Sequence, residues 1–134
     1  MATQTEHFLR EHPRDPVKNV EPLRTCVERL AACAQACTAC ADACLGEADS
    51  ADLVACIRRN LDCADLCGTA EQVLTRRTEA NVVLDRAILQ ACVQFCEHAA
   101  QECGTHAASH EHCRLCADTC VLCAEACRDM LATL

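Results

Sequence analysis

The chain has 134 residues, a formal net charge of −8 and sixteen cysteines, with two phenylalanines as its only aromatic residues. Its acidic balance, with no basic patch, argues against a nucleic-acid partner. The chain also lacks an apolar run of about eighteen residues, the length needed to span a membrane. Three glycines, three prolines and few aromatics favour helices over strands, in one domain.

Residues 1–16 are polar and of mixed charge. Pro13 and Pro16 would break a long helix, so we predict a partly ordered arm that precedes a domain of residues 17–134. His7 and His12 are expected to be solvated there. The arm lacks the apolar core of a secretory signal peptide. We therefore expect a cytoplasmic protein, in a reducing compartment where thiols stay free or bind metal.

The first long helix is predicted over residues 17–45, with Pro22 in its first turn. Its five cysteines fall within an arc of about 60° at 100° per residue, in the row Leu23, Cys26, Leu30, Cys33, Cys37, Cys40 and Cys44. Gly46 is predicted to end this helix as its C′ residue. Asp49 or Ser50 is predicted to cap the next helix.

Two further helices are predicted over residues 51–76 and 79–108 by the same periodicity. The first has one face made of Leu53, Cys56, Asn60, Cys63, Cys67, Ala70 and Leu74. The second has one face made of Leu84, Ile88, Cys92, Cys96, Ala99, Cys103 and His106, with His110 following it.

The last helix is predicted to be capped by Ser109, with Glu111 in its first turn. Cys113, Cys116, Cys120, Cys123 and Cys127 repeat at steps of three and four. They fall within an arc of about 80° along roughly 21 Å of helix. Met130 and Leu134 continue the row, which marks it as the face that packs inside.

Four long amphipathic helices joined by short connections predict an all-α, antiparallel, up-down-up-down four-helix bundle. All sixteen cysteines lie on the faces that must be buried, so the interior would be lined with sulfur. One or two buried cysteines are ordinarily inert core residues. Sixteen would sacrifice the apolar area that leucine or isoleucine supplies, and bound metal would compensate for it.

Thiolates favour Cu(I), zinc or iron–sulfur clusters. Pairs of sulfurs along helices suit Cu(I), which takes two or three thiolates, and bridging gives about one Cu(I) per cysteine. Zinc is less suited because its sites need four convergent ligands. The last helix departs from the ferredoxin spacing and lacks its proline, and pairs within one helix fit disulfide geometry poorly. Zinc, iron–sulfur and disulfide roles stay open as alternatives.

The two ends of the predicted bundle differ in polarity. One end gathers Cys44, Cys56, Asn60, His106, His110 and Cys113. The other gathers Leu23, Leu74, Leu84, Ile88, Met130 and Leu134. We predict that copper passes through the polar end, with His106 and His110 as first or transient ligands. His98 is predicted to lie on the surface, and His112, which flanks the cysteine row, has no assigned role.

Repeated C-x-x-C and C-x-x-x-C pairs lie on four helices, and histidines lie near the connection between the third and fourth long helices. This pattern resembles the cytosolic branch of the bacterial copper storage proteins. The resemblance covers about residues 17–134. It implies a four-helix bundle, assembled as a homotetramer, that stores and sequesters many Cu(I) ions. The predicted metal ligands are Cys26, Cys33, Cys37, Cys40, Cys44, Cys56, Cys63, Cys67, Cys92, Cys96, Cys103, Cys113, Cys116, Cys120, Cys123, Cys127, His106 and His110.

No enzymatic activity is predicted. The chain has no nucleophile, base and carboxylate set of the serine-hydrolase kind, and a di-iron bundle needs glutamates that point inward. Glu97, Glu102 and Glu111 lie off the cysteine faces.

Overall fold

The computed structural model describes residues 1–134, and its regular structure is entirely helical. A short helix precedes four long ones, and a single 3₁₀ turn, Ser50–Leu53, leads into the third helix. The helices are α1 (Gln4–Arg10), α2 (Glu21–Leu45), α3 (Val54–Thr75), α4 (Val82–His106) and α5 (Glu111–Leu131). No helix combines the length and hydropathy that a membrane span requires.

The four long helices form the predicted antiparallel bundle. Helix α2 packs against α3 and α5, and α4 packs against the same two helices. Each helix is joined to the next by a short connection, so successive helices run in opposite directions. The predicted all-α fold is confirmed.

Cysteine makes up more than half of the core. The main buried cluster has 29 residues, and all sixteen cysteines belong to it. The fully buried leucines of this cluster are Leu9, Leu30, Leu53, Leu74 and Leu89. Because a thiol buries less apolar area than a leucine side chain, this core supplies less hydrophobic stabilisation than a leucine-filled one.

Gly46 ends α2 as predicted, with φ −85° rather than the left-handed conformation common after a helix, and its N–H donates to the Ala43 carbonyl at 3.1 Å. The predicted capping residues are wrong in detail. Neither Asp49 nor Ser109 caps a helix through its side chain. Asn81 does cap α4, since its Oδ1 accepts the Val83 N–H at 2.9 Å. Several neighbouring polar residues could have capped each helix, and tertiary packing decides which of them does.

The inward face of α4 also begins differently from the prediction. Leu84 was expected inside, but 63% of it is exposed, and Ile88 is only partly buried. Leu89 and Asp85 occupy the interior instead, at 0% and 6% exposure. Asp85 can lie there because Arg77 faces it, with Nη1 to Oδ2 at 3.5 Å.

The N-terminal arm is more ordered than predicted. Its short helix α1 buries Leu9, whose carbonyl accepts the Val17 N–H at 3.0 Å. His12 was expected to be solvated but is partly buried. Its Nδ1 accepts the Asp15 N–H at 3.0 Å, and its Nε2 lies 3.3 Å from the Thr78 hydroxyl. The arm therefore packs against the turn between α3 and α4.

Candidate metal centre

The sixteen cysteines form one buried column, and none is more than 2% exposed. Steps of three and four residues keep each helix's sulfurs on one face. The bundle turns all four faces toward a common axis, so sulfurs from different helices lie side by side. All sixteen are free thiols. The predicted sulfur-lined interior is confirmed.

Cys33 lies at the centre of this thiol column. Its Sγ is 3.7 Å from the Cys120 sulfur. It also lies 3.9 Å from the sulfurs of Cys37, Cys63 and Cys96, so it contacts thiols from all four long helices. The Cys37 and Cys120 sulfurs are 3.5 Å apart. Such separations exceed a disulfide bond and leave room for a bridging ion.

Four sulfurs converge at two neighbouring points of the column. Within each group the sulfur atoms lie within 4.8 Å of one another. The groups are Cys33, Cys63, Cys67 with Cys96, and Cys33, Cys37, Cys63 with Cys120. Cys33 and Cys63 belong to both. Ions in the two groups would therefore share thiolates, which suits bridged Cu(I) better than closed, separate zinc sites.

Asn60 is the one buried polar residue among the sulfurs near the polar end. Its Oδ1 accepts from the Cys103 thiol at 3.2 Å and from the Cys116 thiol at 3.5 Å. Its Nδ2 donates to the Cys56 sulfur at 3.6 Å. The amide thereby fixes three thiols from three helices.

His112 lies at the polar end of the column. Its Nδ1 is 3.3 Å from the Cys40 sulfur and 3.6 Å from the Cys113 sulfur. These three residues and Cys44 form a mixed group whose ligand atoms lie within 4.8 Å of one another. The sequence analysis gave His112 no role because it flanks the cysteine row. Its place in the first turn of α5, next to Cys113, was the available signal.

The two histidines predicted as ligands lie farther out. His110 contacts the carboxylates of Glu47 and Asp49, the latter at 3.0 Å. The hydrogen bond to Asp49 raises the pKa of His110. His106 Nε2 lies 3.6 Å from a Glu102 oxygen and belongs to none of the groups of clustered ligands. The end that carries His106, His110 and His112 is called the histidine end below.

Cys44 and Cys113, at the histidine end, are held in their neutral form. Burial raises the pKa of Cys44 to about 12, and the nearby Cys56 and Cys113 add to the effect. Burial likewise raises the pKa of Cys113. Neutral thiols cost little to bury, whereas sixteen unpaired thiolates would be very costly.

The opposite end, called the closed end below, is largely apolar, but it also contains the buried Asp85 and its partner Arg77. Leu23, Leu74 and Met130 are buried there. Leu89 takes the interior position that had been predicted for Leu84.

The fold and this lining define a helical bundle that holds many soft metal ions on thiolates. The chain belongs to the copper storage protein family, whose sequence model matches residues 19–132. The family predicted from the cysteine spacing is confirmed.

Solved relatives carry copper. The chain is 46% identical to the Streptomyces lividans copper storage protein Ccsp loaded with 10 copper equivalents, with a TM-score of 0.93 over 97% of this chain and 99% of that one. A five-copper structure of a cytosolic copper storage protein from the same organism is 50% identical, with a TM-score of 0.84 over 85% and 95% of the two chains.

A more distant relative has also been solved without metal. Copper storage protein 3 of Bacillus subtilis, in its apo form, is 34% identical, with a TM-score of 0.67 over 80% of this chain and 96% of that one. The uncharacterized cysteine-rich protein YhjQ of Bacillus subtilis is 38% identical over 80 residues, 60% of this chain and 68% of that protein.

Proposed function

We propose that this protein stores and sequesters Cu(I) in the cytosol. The observation that carries the proposal is the continuous column of sixteen buried, free thiols, in which neighbouring groups share members. All sixteen cysteines serve as ligands, and shared thiolates bring the capacity to about one Cu(I) per cysteine. His106 and His110 act as first or transient ligands at the histidine end.

Anaerobic titration of the reduced protein with Cu(I) tests this function. Storage predicts uptake that ends at about one equivalent per thiol, roughly sixteen per chain. A zinc module or an iron–sulfur protein would bind at most a few metal ions or clusters. Saturation below about four Cu(I) per chain would contradict the storage function.

Copper uptake is expected to release protons. Because burial raises the pKa of Cys44 to about 12, this thiol stays protonated at neutral pH, and Cu(I) must displace its proton. Lowering the pH therefore favours the apo form, and we expect apparent affinity per ion to fall about tenfold per pH unit for each proton displaced. Competition with a Cu(I) chelator at several pH values around neutrality, about pH 6 to 8, measures this pH dependence of the affinity. A pH-independent affinity would contradict it.

The histidines are expected to affect rate more than capacity. Replacing His106 and His110 with alanine should slow copper uptake and removal while the saturating stoichiometry stays nearly unchanged. The reason is that neither imidazole belongs to a group with sulfur. Stopped-flow transfer to and from a chelator gives the rates, and His98→Ala, an exposed histidine on α4, is the control. Halved capacity in the double variant would make these residues permanent ligands.

A non-catalytic role and a homotetrameric assembly belong to the same proposal. Large apolar side chains remain exposed on the outer faces of the bundle, among them Leu45, Val54, Phe95, Leu115 and Val121. Such a surface suits contacts between subunits. Light scattering should give about four times the mass of one chain. A monomer at micromolar concentration would contradict the tetramer without affecting copper storage.

A further inference from the structure

A second group of metal-binding side chains lies outside the thiol column, at the histidine end. Glu47, His110 and His112 each place a ligand atom within 4.8 Å of those of the other two. The His110 and His112 rings stack, with centroids 5.4 Å apart and planes 20° from parallel. Asp49 lies next to this group, 3.0 Å from His110 Nε2, whereas Glu47 contacts the opposite ring nitrogen, Nδ1. We call Glu47, His110 and His112 the outer site.

The outer site differs from the column in its chemistry. It offers two imidazoles and one carboxylate, and no sulfur. Cu(I) prefers soft sulfur and has little affinity for carboxylate oxygen. Mg²⁺ and Ca²⁺ favour oxygen-only ligand sets. Zn²⁺ and similar borderline divalent cations accept mixed nitrogen and oxygen ligands in a tetrahedral arrangement.

His112 connects the two metal-binding regions. Its Nδ1 faces the Cys40 and Cys113 sulfurs. Its Nε2 is buried and has no hydrogen-bond partner. An unpartnered buried ring nitrogen is costly, and a bound cation would satisfy it. One ring can thus face the copper column with one nitrogen and an outer ion with the other.

The local charge also favours a divalent cation. Glu47 and Asp49 carry two negative charges against one imidazole between them. A proton on His110 neutralises only one of them. A divalent cation held by Glu47 and one His110 nitrogen balances both charges, and the other His110 nitrogen can still donate to Asp49.

We propose that the outer site binds one borderline divalent cation of the Zn²⁺ class, and that this ion closes the histidine end to copper. Because His112 belongs both to the outer site and to the group with Cys40, Cys44 and Cys113, an ion held outside stands between those thiols and solvent. The closing step rests on the proposed function. The storage protein would then exchange copper more slowly when free zinc is high.

Anaerobic Co²⁺ titration of the copper-loaded protein tests binding. Copper uptake is measured first on the same sample, so a failure of storage is seen separately from a failure of the outer site. We expect about one Co²⁺ per chain with the weak visible bands of nitrogen and oxygen ligands. Intense thiolate-to-cobalt absorption would place the ion in the column and overturn the proposal, as would no binding at all.

Variants locate the ion. Glu47→Gln and His110→Ala should each abolish Co²⁺ binding, and Asp49→Asn should weaken it. His98→Ala, which removes an exposed histidine beside Arg59, should leave it unchanged. Binding that survives both Glu47→Gln and His110→Ala would show that the ion lies elsewhere.

The closing step has its own readout, the rate at which a Cu(I) chelator removes copper. With Zn²⁺ at ten times its dissociation constant, about a tenth of the molecules have the site free, so removal should slow about tenfold. Glu47→Gln should lose this zinc effect. An unchanged rate in the wild type with Zn²⁺ bound would overturn the closing step.

Discussion

Replacing Cys33 and Cys63 together with valine is expected to lower the copper capacity by about three or four ions per chain. Both residues belong to both central four-sulfur groups. Their loss leaves only the pairs Cys67 with Cys96 and Cys37 with Cys120. If thiolates are shared between ions, removing two of them affects more than two ions. Anaerobic titration to saturation measures the capacity.

A matched control separates sharing from simple ligand loss. Cys26→Val with Cys92→Val also removes two buried thiols, but neither belongs to a four-sulfur group. This control should lose about two ions. Valine nearly conserves the volume, so each apo variant should lose less than about 1.5 kcal/mol per site and keep its helical circular dichroism. Equal losses in both double variants would contradict the shared-ligand arrangement.

The cysteine periodicity was sufficient to predict the fold and the thiol lining. Steps of three and four place residues on one face of any helix, whatever its neighbours are. Four such faces can be buried only by facing each other. The sixteen inward thiols therefore followed from local geometry, and the structure contains them all in one core.

The beginning of α4 could not be predicted in this way. Counting back by fours from Cys92 reaches Ile88 and Leu84, whereas the structure buries Leu89 and Asp85. A carboxylate is expected inside only when a partner is available. That partner is Arg77, in the connection before α4, and its position depends on tertiary packing that periodicity does not describe.

The histidine end was predicted only in part. Spacing placed His106 and His110 at the correct end, but it did not reveal that His112 would lie against the Cys40 sulfur. Position 112 lies beside the cysteine row and not on it, so the periodicity of the row does not predict its contacts. In the structure the ring reaches the column from the rim, in the first turn of α5.

The N-terminal arm shows the same limit. Its composition predicted partial order, yet Leu9 is 1% exposed. Phe8 and Leu9 are adjacent in a polar segment, and no periodic pattern tells which of them is buried; 69% of Phe8 is exposed. The burial of Leu9 depends on the packing of α1 against α2.

Replacing Arg77 with methionine is expected to lower the stability of the apo protein by about 3–5 kcal/mol. The Arg77 and Asp85 side chains are only 14% and 8% exposed, so the change leaves a carboxylate buried without its partner. Arg77 Nη1 also donates to the Leu74 carbonyl at 3.2 Å, which satisfies the end of α3. For a chain of this size we expect the melting temperature to fall by about 10 °C or more. Thermal unfolding of the reduced protein, followed by circular dichroism, measures it.

Two controls identify the cause of this loss. Arg58→Met removes an exposed partner of Asp62 and should change stability by less than about 1 kcal/mol. Arg77→Met with Asp85→Leu should regain much of the stability, since it removes the orphaned charge as well. Copper capacity should stay the same in all three variants, because the pair contributes no sulfur. A melting temperature unchanged by Arg77→Met would mean that Asp85 is solvated, and that the apolar residues of the closed end need no ionic partner to pack.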